Sequence, residues 1–222
     1  MRQQALRQSL KKRVKEYQYT DFQAKTITEL SIGFGNITPL ETGLTIHKFY
    51  NLPYIPATSI KGICRSWVLN HLMDKLNLPV LSNEQINTIH DDKKAQTPYE
   101  KLETCLMDPN NNDKSGENFG NKLKKTMPEL NFSKKTLNKI HTLSKDFYRI
   151  FGSQDAKGAI SFFDAYPDKS SLNKSENIYK TDIINVHYQP YYENMDNPPA
   201  DYYNPIPIYF LTVAPGVTFN FF

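Results

Sequence analysis

The chain has 222 residues, 39% hydrophobic and 13% aromatic, with 27 Lys and Arg against 23 Asp and Glu for a net charge of +4. Its mean hydropathy is −0.59 and no apolar run approaches ~18 residues, which excludes a membrane-spanning helix. Two cysteines, Cys64 and Cys105, have no CxxC partner, which argues against a disulfide scaffold or a structural zinc site and fits a reducing cytoplasm.

Residues 1–20 read as a helix, with Leu6, Leu10, Val14 and Tyr17 as a narrow apolar stripe among Arg2, Arg7, Lys11, Lys12, Arg13 and Lys15. It is basic with no apolar stretch behind it, so it is not a secretory signal. It reads either as a solvated face docked on the domain or as an arm that meets RNA or a partner. Residues 26–35, TITELSIGFG, alternate at the period of a half-buried strand, with Gly33 and Gly35 at its end. Residues 36–43 form a turn-rich connection. Residues 44–50, LTIHKFY, alternate again and predict a second strand.

The most informative stretch is 51–76, NLPYIPATSIKGICRSWVLNHLMDKL. Pro53 and Pro56 hold Tyr54 and Ile55 extended. Thr58 and Ser59 are N-cap types, so a helix should start there. Ile60, Ile63, Cys64, Trp67, Val68, Leu72 and Leu76 recur at three- and four-residue steps and predict one buried face. Lys61 and Arg65, four apart, share another. Backbone N–H groups at a helix start favour an anion, so Ser59, Lys61, Gly62 and Arg65 make a candidate phosphate site. Gly62 weakens the helix by ~1 kcal/mol relative to alanine, which makes sense if another backbone comes close. The plainer reading is a capped amphipathic helix with two solvated cations.

Residues 79–133 are polar and weakly periodic and read as a long insertion, partly helical. Asp108, Asn110 and Asn112 are spaced like the start of a calcium loop, but Asp113 stands where glycine is needed and Phe119 where glutamate is. Residues 134–151 predict a helix capped by Ser133, with Leu137, Ile140, His141, Phe147, Tyr148 and Phe151 mostly on one side. Lys122, Lys124, Lys125, Lys134, Lys135, Lys139 and Lys145 make this the most basic stretch. It is a solvated face or an electrostatic footprint for nucleic acid.

The loop FGSQDAKG at 151–158 runs into 159–166, AISFFDAY, which reads as a strand buried on both faces. Residues 182–192 read as strand then turn. Residues 208–213 and 217–222 read as strands around an Ala214-Pro215-Gly216 turn. No repeat and no linker stand out, so the whole of 1–222 is expected to be one α+β domain. Its sheet should be mostly antiparallel, with helices on one side.

Three blocks, in order, carry a family likeness. LETGLTIHKFYNLPYIPATSIKGICRSW, FGSQDAKGAISFFDAYP and DIINVHYQPYYENMDNPPADYYNPIPIYFLTV resemble those of the RAMP superfamily of CRISPR-associated RNA-binding proteins, and within it subunits of type III-B Cmr effector complexes. Ala57-Thr58 replaces the usual Gly-Ser. The family pattern continues past Phe222 with a helix and a glycine-rich loop, so the C-terminal part is expected to be missing.

The resemblance implies a ferredoxin-like, RRM-related fold, and a non-catalytic subunit that binds guide (CRISPR) RNA near its 3′ portion. Its partners would be the other Cmr subunits and, indirectly, target RNA. It implies no cofactor and no metal. It carries RNA contact onto Ser59, Lys61, Gly62 and Arg65, and more weakly onto Asn36, His47, Lys48, Gln154 and Lys157. Backbone recognition of any guide needs cations, amides and small residues rather than base-edge readers. Two other readings stand beside it. One is a metal-independent endoribonuclease, with His47 near Lys48 and Tyr50, or His187, as acid–base groups. The other is a protein–protein interaction module whose basic patches meet acidic neighbours. Asp155 and Asp164 are assigned no catalytic role; Asp164 is expected to be a hydrogen-bonded structural acid.

Overall fold

A computed structural model describes residues 20–34, 43–82, 86, 89, 96–107, 117–128, 133–153, 156–172, 178–186, 188–194, 196, 198 and 204–222. Residues 1–19 of the expected basic helix, the calcium-like stretch at 108–113, Asn36, His90, Gln154, Asp155 and His187 lie outside the described residues. The chain divides into two compact units, Met1–Ala57 with Phe163–Phe222, and Thr58–Phe162.

The first unit holds the sheets, and every strand pair in them is antiparallel. Strand β1 (Phe22–Lys25) and β2 (Tyr166–Pro167) flank β5 (Thr218–Phe221), while β3 (Tyr179–Val186) pairs with β4 (Ile206–Val213). Phe22 faces Phe221 in register, and their rings stack 4.8 Å apart. The turn between β4 and β5 falls at 214–216 as expected, with Gly216 at φ 87. Thr26 holds it: its hydroxyl donates to the Ala214 carbonyl at 2.9 Å and accepts from the Val217 N–H at 3.0 Å.

Three expected strands are corrected. Among the described residues of 26–35 only Leu30 makes a bridge, with Val213: the chain bends at 27–28 before it and turns at Gly33, φ 76, after it. At 44–50 only Ile46 pairs, and its partner Pro53 has no N–H to extend a ladder. Residues 48–50 are a turn instead. At 159–166 the pairing is confined to Ala165 with Ile55 and to Tyr166 in β2. Pro53 and Pro56 flank Ile55, so nothing can continue that ladder. Ile160 and Phe163 are 49% and 37% exposed rather than buried.

Short helices α5 (Lys169–Leu172) and α6 (Gln189–Glu193) also belong to this unit. Asp168 caps α5, accepting from the Ser170 hydroxyl at 2.7 Å and N–H at 3.0 Å, and from Asn220 Nδ2 at 3.2 Å. The Ser170 bonds, then Asn220, hold its pKa down at about 2 from 3.8. The pKa is depressed on folding, so its stabilisation is present above pH 3.8 and is lost as pH falls toward 2. Asp168→Asn is therefore expected to flatten the acid limb of the stability–pH curve between about pH 4 and 2, read by urea unfolding.

The second unit is helical: most of α1 (Ala57–Leu76), then α2 (Pro98–Leu106), α3 (Glu117–Thr126) and α4 (Lys134–Phe151). One core joins Leu69, Leu72 and Leu76 of α1 to Leu102, Cys105 and Leu106 of α2, Leu123 of α3, and Ile140, Phe147 and Phe151 of α4. The polar 79–133 stretch thus supplies core as well as loop. Helix α2 starts with a full capping box, in which the Thr97 hydroxyl and Glu100 carboxylate each accept from the other's N–H. Among the described residues no helix is long and apolar enough to cross a membrane.

The buried face of α1 is the expected one only in part: Leu72 and Leu76 are buried and Val68 packs against the core, but the N-terminal half departs. Ile63 and Trp67 are 68% and 65% exposed, and Cys64 is exposed. Apolar residues fall on both sides of this helix, so spacing alone selects neither. The core takes the Leu69–Leu72–Leu76 side, on which Lys61 and Arg65 also lie by helical period. In urea unfolding, Leu72→Ala is expected to cost roughly 2–5 kcal/mol and Trp67→Ser less than about 1 kcal/mol.

Candidate nucleic-acid interface

The helix carrying the candidate residues begins at Ala57, one residue before the expected cap, so Thr58 and Ser59 lie inside its first turn. The cap comes from elsewhere in the chain. The Ala57 N–H donates to Asp164 Oδ1 at 2.8 Å. Asp164 is the structural acid it was expected to be, and its negative charge suits a helix start. It also occupies one of the N–H groups that an outside anion would use.

Beyond that cap the first two turns divide sharply. Ser59 and Gly62 are exposed, and a Cβ built on Gly62 would meet nothing within 4 Å. Among the described residues nothing therefore requires glycine there. Lys61 is half-buried and has no ion-pair partner among the described residues. Arg65 is engaged: its Nη2 lies 3.0 Å from Glu103 Oε1 of α2, and its guanidinium stands 5.9 Å over the Phe147 ring. Both partners of that ion pair are about a third exposed, which limits it to roughly 0.2–1 kcal/mol. Arg65 Nε is buried without a partner among the described residues. Any phosphate drawing on Arg65 would compete with Glu103.

Lys157 is exposed in the glycine loop that follows α4. Gly152 caps α4 at φ 70, donating to the Tyr148 carbonyl at 2.8 Å, and Ala159 N–H returns to the Arg149 carbonyl at 2.7 Å. Of the expected basic run, Lys122, Lys124 and Lys125 on α3 and Lys145 on α4 fall among residues whose side chains are described; Lys124 and Lys125 are exposed.

In the first unit, His47 and Lys48 sit in the turn before the LPYIP approach, Lys48 exposed. His47 Nδ1 accepts from the Phe49 N–H at 3.3 Å, so its other nitrogen carries the proton when the ring is neutral. Its ring lies 4.7 Å from that of Tyr50, 6.2 Å from Tyr54 and 5.9 Å from Tyr166. Burial raises the Tyr166 pKa, and Asp164 adds to it. This aromatic cluster escaped the sequence reading, although HKFYNLPY interleaves rings with a cation. Glu103 escaped it too, lying 38 residues beyond Arg65 with no local signal. Among the described residues no His, Cys, Asp or Glu group converges as a metal site would.

Comparison with known proteins gives the family. A family model described as the RAMP superfamily matches residues 23–221. The chain is 32% identical over 198 residues to the CRISPR system Cmr subunit Cmr6 of Pyrococcus furiosus, across 88% of this chain and 54% of that protein. It is 26% identical over 220 residues to the Cmr6 subunit of Saccharolobus solfataricus, across 96% of this chain and 49% of that protein. The chain spans about half the length of the curated relatives it matches. A chain in a cryo-EM structure of the type III-B Cmr-beta complex bound to cognate target RNA shares its fold, with a TM-score of 0.52 at 24% identity, covering 99% of this chain and 51% of that one. With a family model across nearly its whole length, the chain belongs to the RAMP superfamily.

Proposed function

We propose that the chain is a non-catalytic guide-RNA-binding subunit of a type III-B Cmr effector complex, acting near the guide 3′ end in cytoplasmic antiviral defence. The observation that carries this is the start of α1: exposed Ser59, Lys61 with no ion-pair partner among the described residues, and exposed Gly62 with open space before it. These are a hydroxyl, a cation and a bare backbone, which suit a sugar–phosphate chain and read no base. Lys48 in the first unit and Lys157 in the second are further exposed cations. Asn36 and Gln154 belong to the proposed set through the family likeness alone. The names of the relatives support the choice of complex. The exposed Ile63–Trp67 side of α1 supports contact with other Cmr subunits, target RNA being met through the assembly.

His47 suits a packed role better than an acid–base one, because Nδ1 already accepts from its own loop and the ring lies among tyrosines. The test is binding of single-stranded RNAs of unrelated sequence at several salt concentrations. The expected result is similar affinity for each, falling with salt by a log–log slope of about 0.7 per phosphate neutralised. No binding at low salt, or complex assembly indifferent to guide RNA, overturns the reading. Cleavage of repeat RNA that disappears in His47→Ala replaces it with the nuclease.

A further inference from the structure

The turn at 47–51 holds aromatic rings out in solvent by means of a closely bonded backbone. His47 N–H donates to the Leu52 carbonyl at 2.9 Å, and the His47 carbonyl accepts from Tyr50 at 3.2 Å and Asn51 at 2.9 Å. Asn51 closes the turn at φ 50, in the left-handed region that asparagine tolerates. The Tyr179 hydroxyl donates to the Asn51 carbonyl and ties the turn to β3. On this frame Phe49 is 90% exposed and Tyr50 53% exposed, with Lys48 exposed beside them. The His47 ring backs Tyr50, tilted by 32°, and Tyr54 stacks on Tyr166 at 5.5 Å, tilted by 15°. An apolar ring so exposed contributes little to the fold, yet its backbone is fixed from several directions.

We propose that Phe49 and Tyr50 form a stacking platform for bases of single-stranded RNA, with Lys48 on an adjoining phosphate. This rests on the RNA-binding reading and names the chemistry of a part of it beyond α1. Every base has a π-face, so a phenylalanine ring holds whichever base is presented and discriminates none. That is what a guide of arbitrary sequence demands. An anionic partner with flat rings matches both the cation and the aromatics. An aliphatic protein surface would leave Lys48 unmatched.

The experiment uses the whole chain with two probes, oligouridine and an abasic ribose-phosphate chain of equal length. The wild type is expected to bind oligouridine about tenfold more tightly, within the range that base–aromatic stacking gives. Phe49→Ala is expected to erase most of that preference while keeping its affinity for the abasic chain. Phe49→Trp, in a Trp67→Phe background, is expected to restore the preference and to lose indole fluorescence on oligouridine alone. If Phe49→Ala keeps the preference, or weakens both probes alike, the platform is wrong while the RNA-binding reading stands. If the wild type binds neither probe, both fall. Binding without preference for bases, joined to loss of a Cmr protein partner in Phe49→Ala, assigns the turn to protein contact instead.

Discussion

Replacing Gly158 by alanine is expected to destabilise the chain by roughly 1–3 kcal/mol, while the same change at Gly62 stabilises it. A Cβ on Gly158 would lie 2.2 Å from the Ile150 carbonyl oxygen, which is backbone and cannot swing aside. At Gly152 the added carbon would lie 2.3 Å from the Ala156 carbonyl oxygen, and φ 70 adds strain of its own. Overpacking and strain each cost roughly 1–3 kcal/mol, so Gly152→Ala should match or exceed the loss at Gly158. These glycines let the chain turn back on the last turn of α4, where Ala159 N–H meets the Arg149 carbonyl. At Gly62 no neighbour stands within 4 Å, and a helical Gly→Ala change is favourable by up to ~1 kcal/mol. Urea unfolding of the three variants checks the signs. If Gly158→Ala is silent, the loop is not packed as described.

The same contrast shows what the residues disclose in advance. Glycine at 62 and glycine at 158 read alike in sequence, as small residues beside cations. One proves to be a tight return of the backbone and the other an open surface. Where a signal is local, it carries through: the β4–β5 turn at Gly216 and the α4 side with Ile140, Phe147 and Phe151. Where two patterns compete, it fails. Helix α1 has apolar residues on two sides, and only membership of one core with Leu102, Leu106 and Phe147 chooses Leu69, with the expected Leu72 and Leu76, over Ile63 and Trp67. Residues 26–35 and 44–50 alternate correctly for strands. A ladder also needs a partner with free N–H groups, and Pro53 and Gly33 remove the partner or the path. The candidate site divides the same way. Gly62 and Lys48 are exposed, and Lys61 is half-buried on the core side of its helix rather than on a separate face. Arg65 is diverted to Glu103, a contact that no short-range pattern announces.

Lys61→Glu is expected to weaken single-stranded RNA binding tenfold or more at low salt, the largest effect of any single charge in the proposed interface. The change removes one cation and adds an anion, so one phosphate contact is lost and another becomes repulsive. Each lost contact on a single strand should lower the log–log salt slope by about 0.7. Lys61→Gln loses the attraction alone, and it should give the smaller defect with the same slope change. Arg65→Glu is less clean, because it places two acids together at Glu103 and leaves the Phe147 ring without its cation. Glu103→Gln is the sharper companion. It frees the guanidinium for phosphate and should tighten RNA binding at a small cost in stability, since a partly exposed pair contributes little. Opposite signs for Lys61→Glu and Glu103→Gln would tie the cations of α1 to one polyanion. Unchanged affinity and slope in Lys61→Glu would remove the start of α1 from the RNA path.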